Sequence, residues 1–405
     1  MMRIAWYSSA IFATSGYGLQ SKEIVFRLVD EGHNIISIGD HAPQGYVYGG
    51  RLLLRTYKGN LVQCYPCVQA NLGMYINYYV KKLKPDVLVV FYDPFPHLNA
   101  LKKIDIPQLF YVPIDGPVTE RTIEPIKHGC RVIAYSQFGY NQLLKFLPPS
   151  KVRFIYHGID CNLYKPLKED EKIEARREFG VPEDAVVFLN VAANIGVRKM
   201  LPQLMEAFSR LAKECDDVYL YMHTNGAEWP TGFNLVFFAK KFGVEDRVIF
   251  PDRDPSIDPL EEEEMVKLFG MADWYVSTAQ AEGLCIPILQ SLAVGVPVIA
   301  ANNSAQTELV EECGLLIDCI PEDVYKDYIL YVPYHCWYPV PSIESIYQRM
   351  KEAYLMIKED QSKYKKLCRR ARRKSLNFDW SKIIPRWKRL LDEVEEDLQL
   401  LKEMK

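Results

Sequence analysis

The chain has 405 residues, is 49% hydrophobic and 25% charged, and carries a formal net charge of -3. That is an ordinary globular composition, long enough for two domains with proper cores, and its acidic balance argues against a protein that coats nucleic acid. No apolar run approaches the roughly 18–20 residues that cross a bilayer, and no extended apolar stretch follows Met1; a cytoplasmic protein with reduced thiols is expected. In chain order, "MRIAWYS" predicts a strand and "GLQSKEIVFRLVDEGH" a helix, with Ile24, Leu28 and Val29 near helical spacing. "NIISIG", "DVLVVFYDP", "QLFYVPID", "CRVIAYS" and "VRFIYHGID" follow as strands, near-continuously apolar and ending at polar or turn residues. Strands apolar on both faces and separated by helices predict a parallel sheet covered on both sides.

The pattern restarts after Asp160. A charged linker and an amphipathic helix lead to "AVVFLNVAA", "VYLYMHTN", "RVIFPD", "WYVST", "PVIAAN" and "GLLID". Between them lie helical segments "KMLPQLMEAFSRLAKE", "EEEEMVKLFGMA" and "LCIPILQSLAVG". The expectation is an α/β chain of two doubly wound, Rossmann-like domains facing across a cleft. Residues 1–162 form the first, residues 163–382 the second, and a C-terminal helix, about 383–405, returns to the first. Residues 342–405 read as a helical tail.

In such sheets ligands meet the carboxyl ends of strands. Two stretches there carry chemistry. Glu282-Gly283-Leu284-Cys285 opens a helix directly after a strand. The N–H groups of Gly283, Leu284 and Cys285 would lie at the positive end of a helix dipole, a natural phosphate site, with Glu282 beside it to accept from sugar hydroxyls or to cap the helix. Asn194-Ile-Gly196-Val-Arg198-Lys199 places two cations after a glycine loop at another strand end. Cations at a helix start oppose the dipole, and a bound diphosphate would relieve that conflict.

The order of these motifs resembles the family 4 glycosyltransferases, retaining nucleotide-sugar enzymes of the GT-B fold. The resemblance rests on "EGLCIPILQSLAVGVPVIA", "NNSAQTELV" and "FDWSKIIPRW" together with the Arg198-Lys199 loop, and is strongest from Val186 to Cys319. It implies that Arg198 and Lys199 bind and stabilise the donor diphosphate. Glu282 would hold donor-sugar hydroxyls, and Gly283, Leu284 and Cys285 would offer amides. Gln290 stands where the family carries a second Glu for the ribose, and Cys285 replaces a usual glycine. In the first domain Gly16, Tyr17 and Gly18 match a glycine loop near donor phosphate and acceptor. Asp115 stands near a position where many members carry a His facing the donor sugar. Asp93 and His97 end a strand and would face the acceptor; His223, Asn194, Gly196 and Arg253 end or follow strands beside the donor.

The resemblance implies domain closure over a nucleotide-diphosphate sugar and front-face transfer to an acceptor hydroxyl, glycan- or lipid-linked among the choices, with no cofactor and no metal. A non-catalytic sugar-nucleotide-binding subunit, or a phosphorylase or epimerase on the same scaffold, stays open. Three further features have ordinary structural readings. Cys64-Tyr-Pro-Cys67 has redox or metal spacing, but scattered buried thiols are the simpler account. Asp252-Arg253-Asp254 has the form of a metal-binding triplet. "KYKKLCRRARRK" places eight cations between Lys363 and Lys374, a solvated face or a weak peripheral contact with anionic lipid.

Overall fold

The computed structural model describes residues 2–40, 50–67, 74–93, 95–227, 232–321 and 338–404. They fall into two compact units. One holds the described residues up to Gly158 together with those from Trp380 onward; the other holds those from Ile159 to Asp379.

The first unit contains an eight-stranded sheet in the order β3-β4-β2-β1-β5-β6-β7-β8. Its strands are β1 (Arg3–Ser9), β2 (Asn34–Asp40), β3 (Leu52–Arg55), β4 (Leu61–Pro66), β5 (Val87–Phe91), β6 (Gln108–Val112), β7 (Arg131–Ala134) and β8 (Val152–Phe154). β1 pairs in parallel with β2, Tyr7 opposite Ile38, and with β5, Tyr7 opposite Val90. Every residue of β5 and β6 is buried, as strands covered on both faces require. The sheet's antiparallel pair is β3 with β4. β3 and β4 were not among the predicted strands. β3 is short and lies at the edge, with Leu53 and, on β4, Leu61 about half exposed, so its apolar residues are not a core signal.

The second unit holds six parallel strands: β9 (Val186–Val191), β10 (Val218–His223), β11 (Val248–Ile249), β12 (Trp274–Ser277), β13 (Val298–Ala301) and β14 (Gly314–Ile317). Their order is β11-β10-β9-β12-β13-β14. Counted from β9 as the first, this is the 3-2-1-4-5-6 order of dinucleotide-binding sheets. The Rossmann-like architecture predicted from alternating strands and helices is therefore present in both halves.

A buried clamp fixes the start of this unit. Asp273 accepts from Arg176 Nη2 at 2.8 Å, from Lys172 Nζ at 2.7 Å and from the Val187 N–H at 2.8 Å. Arg176 also donates to the carbonyls of Met271 and Ala185, both at 3.0 Å. Burial pushes the Asp273 carboxyl up, but Lys172 and Arg176 outweigh it and hold the group below the usual carboxylate range.

The helical tail resolves into three helices, Ile343–Glu359, Gln361–Ser375 and Trp380–Glu403. Asp360 separates the first two, and its carboxylate accepts from the Lys363 N–H at 3.0 Å to cap the second. The motif after them is structural. Asp379 accepts from the Cys161 N–H at 3.1 Å, and Ile159 donates to the Phe378 carbonyl at 2.9 Å. The last helix packs on the first unit: Trp387 is fully buried 5.3 Å from the Trp6 ring, and Asp397 and Glu393 meet Arg131 and Arg153 at 2.6 and 2.9 Å. No described helix is long and apolar enough to cross a membrane.

Candidate active site: strand-end loops at the sheet switch points

In the second sheet, connections leave β9 and β12 toward opposite edges. Such a reversal opens a crevice outside the carboxyl ends of the two strands. The two predicted donor loops, 192–200 after β9 and 278–285 after β12, both lie there. They are stitched together: Gln280 N–H donates to the Arg198 carbonyl at 2.9 Å, and Thr278 Oγ1 donates to the Lys199 carbonyl at 2.8 Å. Arg198 Nη1 donates to the Ala281 carbonyl at 2.5 Å and stands 3.3 Å from Glu282 Oε1. Lys199 Nζ donates to the same carboxylate oxygen. Sequence neighbours Arg198 and Lys199 thus converge on a residue more than eighty positions away.

The backbone explains the local sequence. Gly196 sits at φ +59°, with open space around it. Met200, at φ +51°, starts the helix Leu201–Ala212. Cys285, at φ +76°, occupies the N-cap of Ile286–Ala293. That conformation is native to glycine and costs another residue about 1 kcal/mol or more. Here the thiol is retained by packing, since Cys285 is only 8% exposed. Burial, and then the Glu282 charge, push this thiol up to about 12. It stays protonated and is no nucleophile.

The Glu282 side chain is 12% exposed. Burial alone would raise its pKa, but Lys199 and then Arg198 overcome that and hold it below the ordinary range. The site therefore contains a desolvated carboxylate with two cations shared on one oxygen. The Glu282 N–H donates to Ser304 Oγ at 3.1 Å, and Ser304 Oγ donates to Asn303 Oδ1 at 3.0 Å. Gln306 Nε2 bridges Asn303 Oδ1 and the Ala279 carbonyl at 2.8 and 2.9 Å, while Ser277 Oγ donates to Gln306 Oε1 at 2.6 Å. Asn303, Ser304 and Gln306 were not candidate residues. They belong to the quoted "NNSAQTELV" stretch, but its spacing does not reveal that they brace the Glu282 loop.

The remaining second-unit candidates are tied to neighbouring loops. Asn194 spends its whole amide: Nδ2 donates to the Asn225 and Phe233 carbonyls at 3.0 and 2.7 Å, and Oδ1 accepts from the Phe233 N–H at 3.0 Å. Arg253 is held by Glu264 at 2.7 Å and Asp258 at 3.3 Å. Asp254 accepts from Asn225 Nδ2 at 2.6 Å and caps Ser256, a turn-forming use of the second acid in that triplet. His223 closes β10. Burial, then Arg253, lower it to about 4, so it is neutral near pH 7, and its buried Nδ1 makes no hydrogen bond among the described residues. Gln290 donates through Nε2 to Tyr164 Oη at 2.8 Å; its carbonyl oxygen is its acceptor.

The first sheet has its own switch point, between β1 and β5. Ser15 caps the helix Gly16–Asp30 by accepting from the Gly18 N–H at 3.1 Å. A Cβ on Gly18 would collide with the carbonyls of Ala13 and Ala10. Gly18 is therefore required by close backbone approach, whatever else the loop does. Tyr17 stacks on Tyr92, centroids 4.9 Å apart, and donates to Asp93 Oδ2 at 3.1 Å. His97 is 1% exposed, enclosed by the Tyr7 and Tyr92 rings. Tyr7 donates its one hydroxyl hydrogen to Asp40 Oδ2 at 2.8 Å. The 3.2 Å contact between Tyr7 Oη and His97 Nδ1 then requires His97 to donate, which puts its proton on Nδ1. Asp115 lies partly exposed just past β6. Cys64 and Cys67 are separate buried thiols, each pushed up to about 12 by burial.

The family described as glycosyl transferases group 1 matches residues 171–332. An O-antigen biosynthesis glycosyltransferase, WclY, of Escherichia coli is 28% identical over 186 residues, 46% of this chain and 47% of the relative; the chain thus matches about half the length of that curated relative. Two solved structures share the fold along nearly the whole chain. Sucrose-phosphate synthase from Thermosynechococcus elongatus has a TM-score of 0.75 at 14% identity, covering 98% of this chain and all of that one. Anabaena HepE in complex with UDP-glucose has a TM-score of 0.71 at 17% identity, covering 97% and 100%. Residues 171–332 thus match the group 1 glycosyl transferases, within a chain built on the GT-B fold.

Proposed function

We propose that this protein is a retaining glycosyltransferase that moves a sugar from a nucleotide-diphosphate sugar to an acceptor hydroxyl. The observation that carries the reading is the convergence of Arg198, Lys199 and Glu282 at the switch point of a 3-2-1-4-5-6 sheet. The solved structure of Anabaena HepE, which shares the fold, holds UDP-glucose, and the matched relative is named as a glycosyltransferase.

In this reading the donor diphosphate takes over Arg198 and Lys199, which already carry unequal exposure, 39% and 21%. Glu282 is released to accept from hydroxyls of the donor sugar. The bond from the anomeric carbon to the diphosphate oxygen breaks, and the negative charge developing on that oxygen is stabilised by the two cations. The acceptor oxygen bonds to the anomeric carbon on the same face, and its proton passes to the departing phosphate. Atoms and charge balance without a side-chain nucleophile or a metal. Gln290 accepts through its carbonyl oxygen from the ribose, with His223 and Arg253 nearer the base. In the first unit Tyr17, Asp93 and Asp115 are assigned to acceptor and sugar contacts. His97, enclosed as it is, supports that loop from behind.

The test is donor turnover with a nucleotide sugar first identified by a calorimetric screen of UDP, GDP, ADP and their sugars. Arg198→Ala and Lys199→Ala should each lower turnover about 100-fold, the usual effect of losing one preorganised charge donor. Near-normal turnover of the double variant would overturn the assignment. Product anomeric configuration, read by NMR, tests retention.

A further inference from the structure

The helix Gln361–Ser375 carries eight cations and no acid between Lys363 and Lys374. With 49 cations and 52 acids in the chain, the remainder without these eight stands at -11. The structure divides the eight by job. Arg372 donates to the carbonyls of Tyr164, Ala293 and Cys161, each at 2.8 Å. Lys374 donates to the Glu308 carbonyl, and Lys363 stands 3.8 Å from Glu352. Lys365, Lys366, Arg369, Arg370 and Arg373 are exposed and have no ion-pair partner among the described residues.

These five share one face. At 3.6 residues per turn they fall within an arc of about 140°, along about 12 Å of helix. Tyr364 and Ala371 face the other way: Tyr364 Oη donates to the Asp273 carbonyl at 3.0 Å, and Ala371 is fully buried. The helix therefore lies along the body of the second unit with its basic side outward. Five like charges so close repel one another, and no described acid pairs with any of them.

We infer that this face docks the protein onto an anionic lipid surface. A row of four to eight Lys and Arg on one side of a helix suits a plane of acidic headgroups. Nucleic acid fits less well. The exposed face presents no aromatic ring for base stacking, and the helix cannot enter a groove while it lies along its own unit. The helix that bears this face backs the candidate site through Arg372, which holds the C-terminal carbonyl of the helix that Glu282 precedes.

The experiment is flotation of the intact protein with vesicles of phosphatidylcholine alone or with about one-third phosphatidylglycerol. Binding is expected only with phosphatidylglycerol, and lost at about 0.5 M salt. Each charge removed should weaken partitioning about fivefold, so Lys366→Gln/Arg370→Gln/Arg373→Gln should lose about 100-fold. A matched triple of exposed cations on the first unit, unpaired among the described residues, Lys81→Gln/Lys84→Gln/Lys103→Gln, should bind as wild type, and neither triple should shift the melting temperature. Equal loss by both triples, absence of binding to acidic vesicles, or binding to a single-stranded oligonucleotide in their place would each overturn the inference.

Discussion

Glu282→Gln separates a ligand-binding carboxylate from a merely structural one. The substitution keeps shape and the backbone bond to Ser304, and removes one charge from between two cations. At 3.3 Å from Arg198 the gross attraction is about 5 kcal/mol at an effective dielectric constant near 20. The Arg198 side chain is 39% exposed, so solvent screening reduces the net to about 1 kcal/mol. A bare nucleoside diphosphate must displace that carboxylate from Lys199 and Arg198; without it, the diphosphate should bind as well as to wild type or up to about fivefold tighter. The sugar form behaves in the opposite sense. A hydrogen bond to a charged acceptor contributes about 1.5–3 kcal/mol and a neutral one about 0.5–1.5, so the sugar loses about 1–1.5 kcal/mol, roughly tenfold. The relief at Arg198 and Lys199 is common to both ligands and cancels in the ratio of the two dissociation constants, sugar form over diphosphate, which should therefore rise about tenfold in calorimetry. Equal weakening of both ligands would refute the reasoning and leave Glu282 as a brace for its loop.

Two other predictions follow from buried groups. Asp273→Ala should cost about 3–5 kcal/mol in urea unfolding, because it strands Arg176 and Lys172. Since the folded Asp273 pKa lies below its ordinary value, the stabilisation is present above the usual aspartate range and lost as pH falls through the folded value, below about 4; Asp273→Asn should flatten that part of the acid limb. In His97, nitrogen NMR of selectively labelled protein should show the proton on Nδ1, and Tyr7→Phe should release that preference. A wild-type Nε2–H tautomer would refute the Asp40–Tyr7–His97 arrangement.

Much of the fold was legible because parallel strands leave a simple mark. β5, β6, β9 and β13 are buried throughout or nearly so, and a run of apolar residues bounded by turns is what that burial selects. β3 and β4 left no such mark, since an edge pair exposes part of its apolar surface. Arg176 was hidden for the opposite reason. It sits in a stretch of charge that reads as solvated, yet it is 6% exposed, because its partners Met271 and Asp273 lie far along the chain. Local pattern cannot report a partner about a hundred residues away.

The candidate site divides along the same line. Glu282 and the Arg198-Lys199 pair stood out because their charges conflict with their surroundings, a carboxylate at an apolar helix and cations at a positive dipole end. Those two conflicts cancel each other when β9 and β12 become neighbours, which only strand order can reveal. Asn194 and His97 signalled function merely by being polar at strand ends. The fold uses the first to tie loops and encloses the second between tyrosines. A polar residue at a strand end is thus weak testimony by itself. An unfavourable charge is stronger, because something must relieve it: in the fold Glu282 relieves both cations, and any diphosphate that binds there has to do so in its place.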